Sequence, residues 1–151
     1  MAKIKLQPAF MIRKFLSEDM DAVLDIWLSA SLKAHDFVEA NFWRSQLQNM
    51  RDIYIPASDV YIYEDKSEVL GFVALLDDRL AAIFVKPDKQ GEGIGKALVE
   101  HAKTIRKTLT LSVYKANIPS IHFYKSQGFF IIEESLDSAT GQKEYVMRFP
   151  S

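Results

Sequence analysis

Cysteine is missing from all 151 residues, which excludes disulfides, thiolate metal ligands and a cysteine acyl-enzyme, and suits a reducing, cytoplasmic setting. Net charge is nearly missing too. With 19 basic and 20 acidic side chains leaving −1, the chain has no electrostatic footprint for nucleic acid or an anionic membrane. The longest apolar run, residues 69–76, is broken by Gly71 and is far too short to span a bilayer, and no apolar signal-peptide core opens the chain. His35, His101 and His122 stand apart without His-x-x-x-His spacing, so no metal site is expected. What remains, at 48% hydrophobic, is one ordinary globular domain large enough to build a core without staples.

Glycine is scarce as well, yet of the 6 present three alternate at Gly91, Gly93 and Gly95. They lie in Phe84-Val85-Lys86-Pro87-Asp88-Lys89-Gln90-Gly91-Glu92-Gly93-Ile94-Gly95-Lys96-Ala97-Leu98, where an apolar strand runs into a helix. Glycine removes side chains where a ligand must touch backbone, and a helix's first turn leaves N–H groups without internal partners. A pyrophosphate placed there would meet convergent donors and the positive end of the helix dipole. Two better-known phosphate loops do not fit. A Walker A loop needs a glycine where Gln90 stands and a hydroxyl where Ala97 stands; the dinucleotide fingerprint needs its last glycine where Ile94 or Lys96 stands. A plain turn feeding a helix and a regulator that binds ATP or NAD remain competing readings of the same glycines.

Periodicity places the other elements around this turn. A strand is expected over 11–15, preceded by a leader or extra segment at 1–10, with a single domain over 11–151. Ser17 can cap a helix carrying Met20, Val23, Leu24, Trp27 and Ser31, and a second helix over 37–50 ends before Pro56. Strands follow over 60–64, 69–76 and 80–85, then the helix after Gly93, and a strand over 109–113. Next come a helix from Pro119 that stops before Gly128, and a hairpin of 129–134 with 142–149 turning at 138–141.

The pattern Gln90-Gly91-Glu92-Gly93-Ile94-Gly95, followed by the strand 109–113, Asn117 and the helix Ser120-Ile121-His122-Phe123-Tyr124-Lys125-Ser126-Gln127-Gly128-Phe129, resembles the GNAT superfamily of N-acetyltransferases over the second half of the chain. The resemblance implies an α/β (mixed α+β) fold, a mostly antiparallel sheet of six to seven strands with helices on both faces, splayed between strands 80–85 and 109–113. It implies acetyl-CoA as cosubstrate, with a pyrophosphate cradle formed by Gln90, Gly91, Glu92, Gly93, Ile94, Gly95 and Lys96. Phe84 and Val85 would pair with the pantetheine arm, and Asn117 and Ser120 would orient cofactor polar groups. Tyr124 would protonate the leaving thiolate; the alternative is a core aromatic beside Phe123 and Phe129. Ser120 and Tyr124, four apart, share a helix face. Direct transfer to a primary amine follows, the acceptor being a protein lysine, an N-terminus or a small molecule. The other reading is a non-catalytic acyl-CoA-binding sensor, and the protein is a monomer or homodimer.

An alkylammonium with pKa about 10.4 must lose a proton before it attacks, at a cost of about 4.6 kcal/mol at pH 7. No residue announces itself as the base. Asp36, Glu39 and Asp78 read first as solvated charges, with Asp36 and Glu39 suited to a cationic amine. His35 is a candidate acceptor contact, while His101 reads as a core-margin residue and His122 points away from the site. Trp27, Trp43, Phe37 and Phe42 read first as core, with Trp43 or Phe37 lining an acceptor groove as the other option.

Overall fold

The β-branched and aromatic segments pair into one sheet of seven strands in a computed structural model that describes residues 10–150. The strands are β1 (Phe10–Lys14), β2 (Asp59–Asp65), β3 (Glu68–Leu76), β4 (Arg79–Val85), β5 (Leu109–Tyr114), β6 (Phe130–Asp137) and β7 (Gln142–Phe149). Their spatial order is β1-β2-β3-β4-β5-β7-β6, and every neighbouring pair is antiparallel except β4 with β5. The helices are α1 (Met20–Ala34), α2 (Ala40–Ser45), α3 (Leu47–Asn49), α4 (Ile55–Ala57), α5 (Ile94–Ile105) and α6 (Ile118–Ser126).

Central strand β3 carries no polar alternation because both its faces are covered. Phe72 and Ala74 pack on one face with Val23, Ile26 and Trp27 of α1, and Val73 and Leu75 pack on the other with Leu98, Val99 and Ala102 of α5. Each fully buried large aliphatic contributes about 1.5–3 kcal/mol of transfer free energy, so these two clusters dominate the stability of the fold. Gly71 is required where α5 crosses, since a Cβ there would stand 3.0 Å from the Phe84 carbonyl oxygen and 3.1 Å from Ile94 Cγ2.

Three local expectations change. Phe10, placed with the leader, instead opens β1 and stacks on Tyr63 at 4.7 Å; residues 1–9 of that segment lie outside the described residues. Ser17 does not cap α1. Asp19 occupies the N-cap position of α1 without capping it by its side chain; its carboxylate instead accepts from the Leu16 amide at 2.8 Å, while a forked ion pair from Arg13 (2.8 and 2.9 Å) ties the helix start to β1. The single helix over 37–50 is instead α2, α3, a π-helical turn (Met50–Tyr54) and α4, and Pro56 sits in the first turn of α4 rather than ending the stretch. The run before it is already helical, the Ile55 amide reaching back five residues to Met50 O, so Pro56 interrupts the hydrogen-bond ladder without ending the helix.

The feature that positions a site is the β4/β5 junction. These strands pair only at Arg79 with Thr110, continued by the Thr110 amide donating to Asp78 O at 3.0 Å, and then diverge. A bulge sharpens this. Ala74 faces Ala82 and Leu75 faces Leu80, so Ala81 is an extra residue in β4 that bends the strand just where the gap begins.

Candidate active site

The divergence opens a cleft of about 1190 Å³ through the sheet, connecting the α5/α6 face to the α1/α2 face. On the α5 side, Gly91 and Gly93 adopt φ of 83° and 85°, a left-handed conformation that L side chains resist, and Gly93 is the residue that starts α5. The first hydrogen bond of α5 runs from the Ala97 amide to Gly93 O at 3.1 Å, which leaves the amides of Ile94, Gly95 and Lys96 without intrahelical acceptors. No side chain among the described residues caps them. Three N–H groups at the dipole's positive end, with Lys33, Lys89 and Lys96 also lining this end of the cleft, form a donor set that fits a diphosphate.

The loop is held in place from α1. Lys33 Nζ donates to Pro87 O at 3.4 Å and Gln90 Oε1 at 3.3 Å, and Gln90 Nε2 donates to Val85 O at 3.3 Å. Gln90 therefore acts as an internal brace. Beyond Arg79, the edge of β4 that faces β5 has no strand partner among the described residues, so Phe84 and Val85 border a free backbone edge that an extended amide chain can join.

On the opposite wall, α6 begins with Asn117, whose Oδ1 accepts from the Ser120 amide at 3.3 Å. That bond orients the amide so that Nδ2 faces His35 Nε2 at 3.1 Å. His35 Nε2 must accept, so the neutral ring carries its proton on Nδ1, which is buried without a partner. Burial pushes the His35 imidazole down to about 4. With its available lone pair engaged and its charged form disfavoured, His35 is a poor base. Both ends of the Asn117 side chain are committed within the fold, so it acts on the site by fixing α6 and His35. One helical turn after Ser120, Tyr124 lines the cleft against Phe123 and Phe129, and its hydroxyl makes no side-chain hydrogen bond among the described residues. Burial pushes its phenol above the ordinary tyrosine value, which keeps it protonated.

Of the twelve residues singled out from sequence, the cleft gathers Tyr124, Phe84, Val85, Gln90, Gly91, Gly93, Ile94, Gly95, Lys96, Asn117 and Ser120 in its lining, and leaves out Glu92. Asp36 lines the cleft; Glu39 and Asp78 do not. Trp43 is both buried and cleft-lining, and Phe37 lines it as well. Sequence reasoning missed Tyr114 and Glu144, which face each other across β5 and β7 on the α1/α2 side. Tyr114 packs edge-on against His35 at 5.1 Å and Phe37 at 5.5 Å, building an aromatic wall with Trp43. Its signal was the strand alternation that sets Tyr114 on the same face as Ser112.

The geometry finds counterparts among known proteins. Residues 56–130 match the acetyltransferase (GNAT) domain family. Peptidyl-lysine N-acetyltransferase YiaC of Escherichia coli K12 is 36% identical over 141 residues, covering 93% of this chain and 97% of its own. The solution structure of apo YjaB from Escherichia coli superposes with a TM-score of 0.81 at 26% identity, covering 94% of this chain and 99% of the other. PaiA N-acetyltransferase from Thermoplasma acidophilum, solved in complex with coenzyme A, shares the fold with a TM-score of 0.79 at 18% identity, covering 95% and 100% of the two chains. No helix among the described residues is long and apolar enough to cross a membrane.

Proposed function

We propose, from the premise that this chain belongs to the GNAT acetyltransferase family, that the amine it acetylates is the side chain of a lysine in a polypeptide. It is an N-acetyltransferase that moves an acetyl group from acetyl-CoA to a primary amine. The sensor reading has no support, since the relatives named above are transferases. The observation that carries the lysine reading is the 36% identity to a peptidyl-lysine N-acetyltransferase over 93% of this chain. The aromatic wall of Tyr114, Trp43 and Phe37 also suits a long apolar stem.

In this reading acetyl-CoA supplies an activated acyl group as a thioester. The amides of Ile94, Gly95 and Lys96 hold the diphosphate, the free edge of β4 at Phe84 and Val85 pairs with the pantetheine amides, and the lysine enters from the α1/α2 face. The neutral amine attacks the carbonyl carbon and forms C–N, giving a tetrahedral intermediate whose oxyanion a backbone N–H near Val85 stabilises. The nitrogen releases its extra proton to water, the intermediate collapses with C–S cleavage, and Tyr124 gives its phenolic proton to the departing sulfur and is reprotonated from solvent. A thiol of pKa about 8.5 and a phenol of about 10 are mismatched in water. The same apolar wall that raises Tyr124 also disfavours a free thiolate, so burial shifts donor and acceptor in the same direction. One domain over residues 11–151 carries the whole reaction, in the cytoplasm.

Acetyl-CoA and a library of lysine-containing peptides, with mass readout and site localisation, test the reading. Acetylation on lysine Nε supports it. Acetylation confined to peptide N-termini or to free polyamines overturns it.

A further inference from the structure

We infer that Glu144 is the carboxylate that receives the acceptor's ammonium group and sets the preference for cationic amines. The inference deepens the lysine reading but rests only on the acceptor being a primary alkylamine.

An alkylammonium remains charged at neutral pH, and drawing it into a partly buried cleft is costly unless a carboxylate or aromatic faces meet it. Two carboxylates line the cleft among the described residues, Asp36 and Glu144. Asp36 is exposed; Glu144 is half-buried. Glu144 pairs with Tyr114 across β5 and β7, and directly opposed residues share a sheet face, so its carboxylate stands beside the aromatic wall that flanks an incoming stem.

Its neighbours isolate it further. Asp137 is saturated by the Tyr114 hydroxyl at 2.7 Å, Thr140 Oγ1 at 3.0 Å and the Ala139 amide at 3.1 Å. Glu134 is paired with Lys115 Nζ at 2.9 Å. Glu144 accepts one hydrogen bond, from Ser135 Oγ at 3.3 Å on Oε1, and no cation reaches it among the described residues. Its other oxygen keeps its lone pairs free. Of the cations that line the cleft, Lys33, Lys89 and Lys96 belong to the opposite, diphosphate end, while Arg79, at the β4/β5 junction, donates to Ser112 Oγ at 3.3 Å rather than to Glu144. The Glu144 carboxylate is thus left for an arriving cation.

The test compares wild type with Glu144→Gln, which keeps an oxygen for Ser135, and with Glu133→Gln on exposed β6, which removes the same charge outside the cleft. Transfer kinetics are measured on a blocked lysine dipeptide and on spermidine, with acetyl-CoA affinity and melting temperature as controls on the fold. A charge-assisted hydrogen bond is lost, so KM for every amine the wild type acetylates should rise roughly 10- to 100-fold in Glu144→Gln. Acetyl-CoA affinity stays put, and Glu133→Gln stays near wild type. Binding of the neutral acetylated dipeptide should be equal in wild type and Glu144→Gln, which a merely structural role for Glu144 would not predict. An unchanged amine KM in Glu144→Gln, or an equal rise in Glu133→Gln, overturns the assignment and leaves the lysine reading standing. A wild type active on spermidine alone overturns the lysine reading while Glu144 is judged on spermidine. Activity on neither overturns both.

Discussion

Replacing Gly93 by valine separates backbone strain from ligand contact, because a Cβ built there meets nothing within 4 Å. Protein packing is therefore undisturbed. The residue must still hold φ of 85°, which costs an L residue about 1–2 kcal/mol and somewhat more when β-branched. Gly141 provides the matched control: its φ is 75°, its Cβ position is equally open, and it lies in the β6–β7 turn outside the cleft lining. In a chain of this size each kcal/mol lowers Tm by about 2–4 °C, so Gly93→Val and Gly141→Val should both melt several degrees below wild type. Their cofactor affinities should differ sharply. Branched carbons at position 93 crowd the space before the amides of Ile94 and Gly95. Losing two hydrogen bonds to a charged group, at about 1.5–3 kcal/mol each, weakens acetyl-CoA about 10²- to 10⁴-fold. Calorimetric titration of both variants decides the matter. Equal affinity in the two would refute the idea that the start of α5 grips the diphosphate.

Three further outcomes follow from the packing and charges. Asp19→Asn removes one partner of the Arg13 fork and weakens the bond from the Leu16 amide, so stability should fall by about 2–4 kcal/mol in urea melts, a difference that shrinks once pH falls below the carboxylate's unfolded pKa and is gone only below its lowered folded value. Asp19 is held below its usual value chiefly by that bond to Arg13. Gly71→Ala should cost about 1–3 kcal/mol by pushing β4 and α5 apart, and should also weaken acetyl-CoA because Ile94 is one of the displaced neighbours. For His35, the folded imidazole titrates at about 4 and the unfolded one near 6.5, so between those values the unfolded chain binds more protons. Stability should be full above about pH 6.5 and fall by at most about 3 kcal/mol as pH drops toward 4, a loss that His35→Gln should abolish in pH-dependent denaturation. His101, also pushed down by burial, adds a smaller slope of the same sign that the variant retains.

How far the sequence could be read depended on range. The turn at Gly91 and Gly93 is local: alternating glycines before a helix leave few conformations, and the structure places both in the left-handed region. Strand periods 60–64 and 69–76 were equally legible, since β3 is covered on both faces and reads as an apolar run. The stretch after Glu39 was not. Apolar residues at Phe42, Trp43, Leu47 and Met50 keep a helical spacing, but the backbone shifts from α to π hydrogen bonding around Met50 to wrap the end of the α1/β2 cluster. The acceptor side stayed hidden for a different reason. His35 meets Asn117 across 82 residues, and Tyr114 meets Glu144 only through the β5–β7 register. Such contacts are products of the sheet order, and no window of sequence contains both partners. Asn117 was a candidate from sequence, yet its two-sided engagement could be seen only once α1 and α6 were side by side.

The account rests on Tyr124 delivering a proton to sulfur inside a cleft whose cofactor grip lies elsewhere, and Tyr124→Phe addresses that most directly. Stopped-flow or steady-state turnover with saturating acetyl-CoA should fall about 10²- to 10⁴-fold, while acetyl-CoA affinity by calorimetry stays at the wild-type value. Wild-type turnover in Tyr124→Phe across the pH range would contradict it.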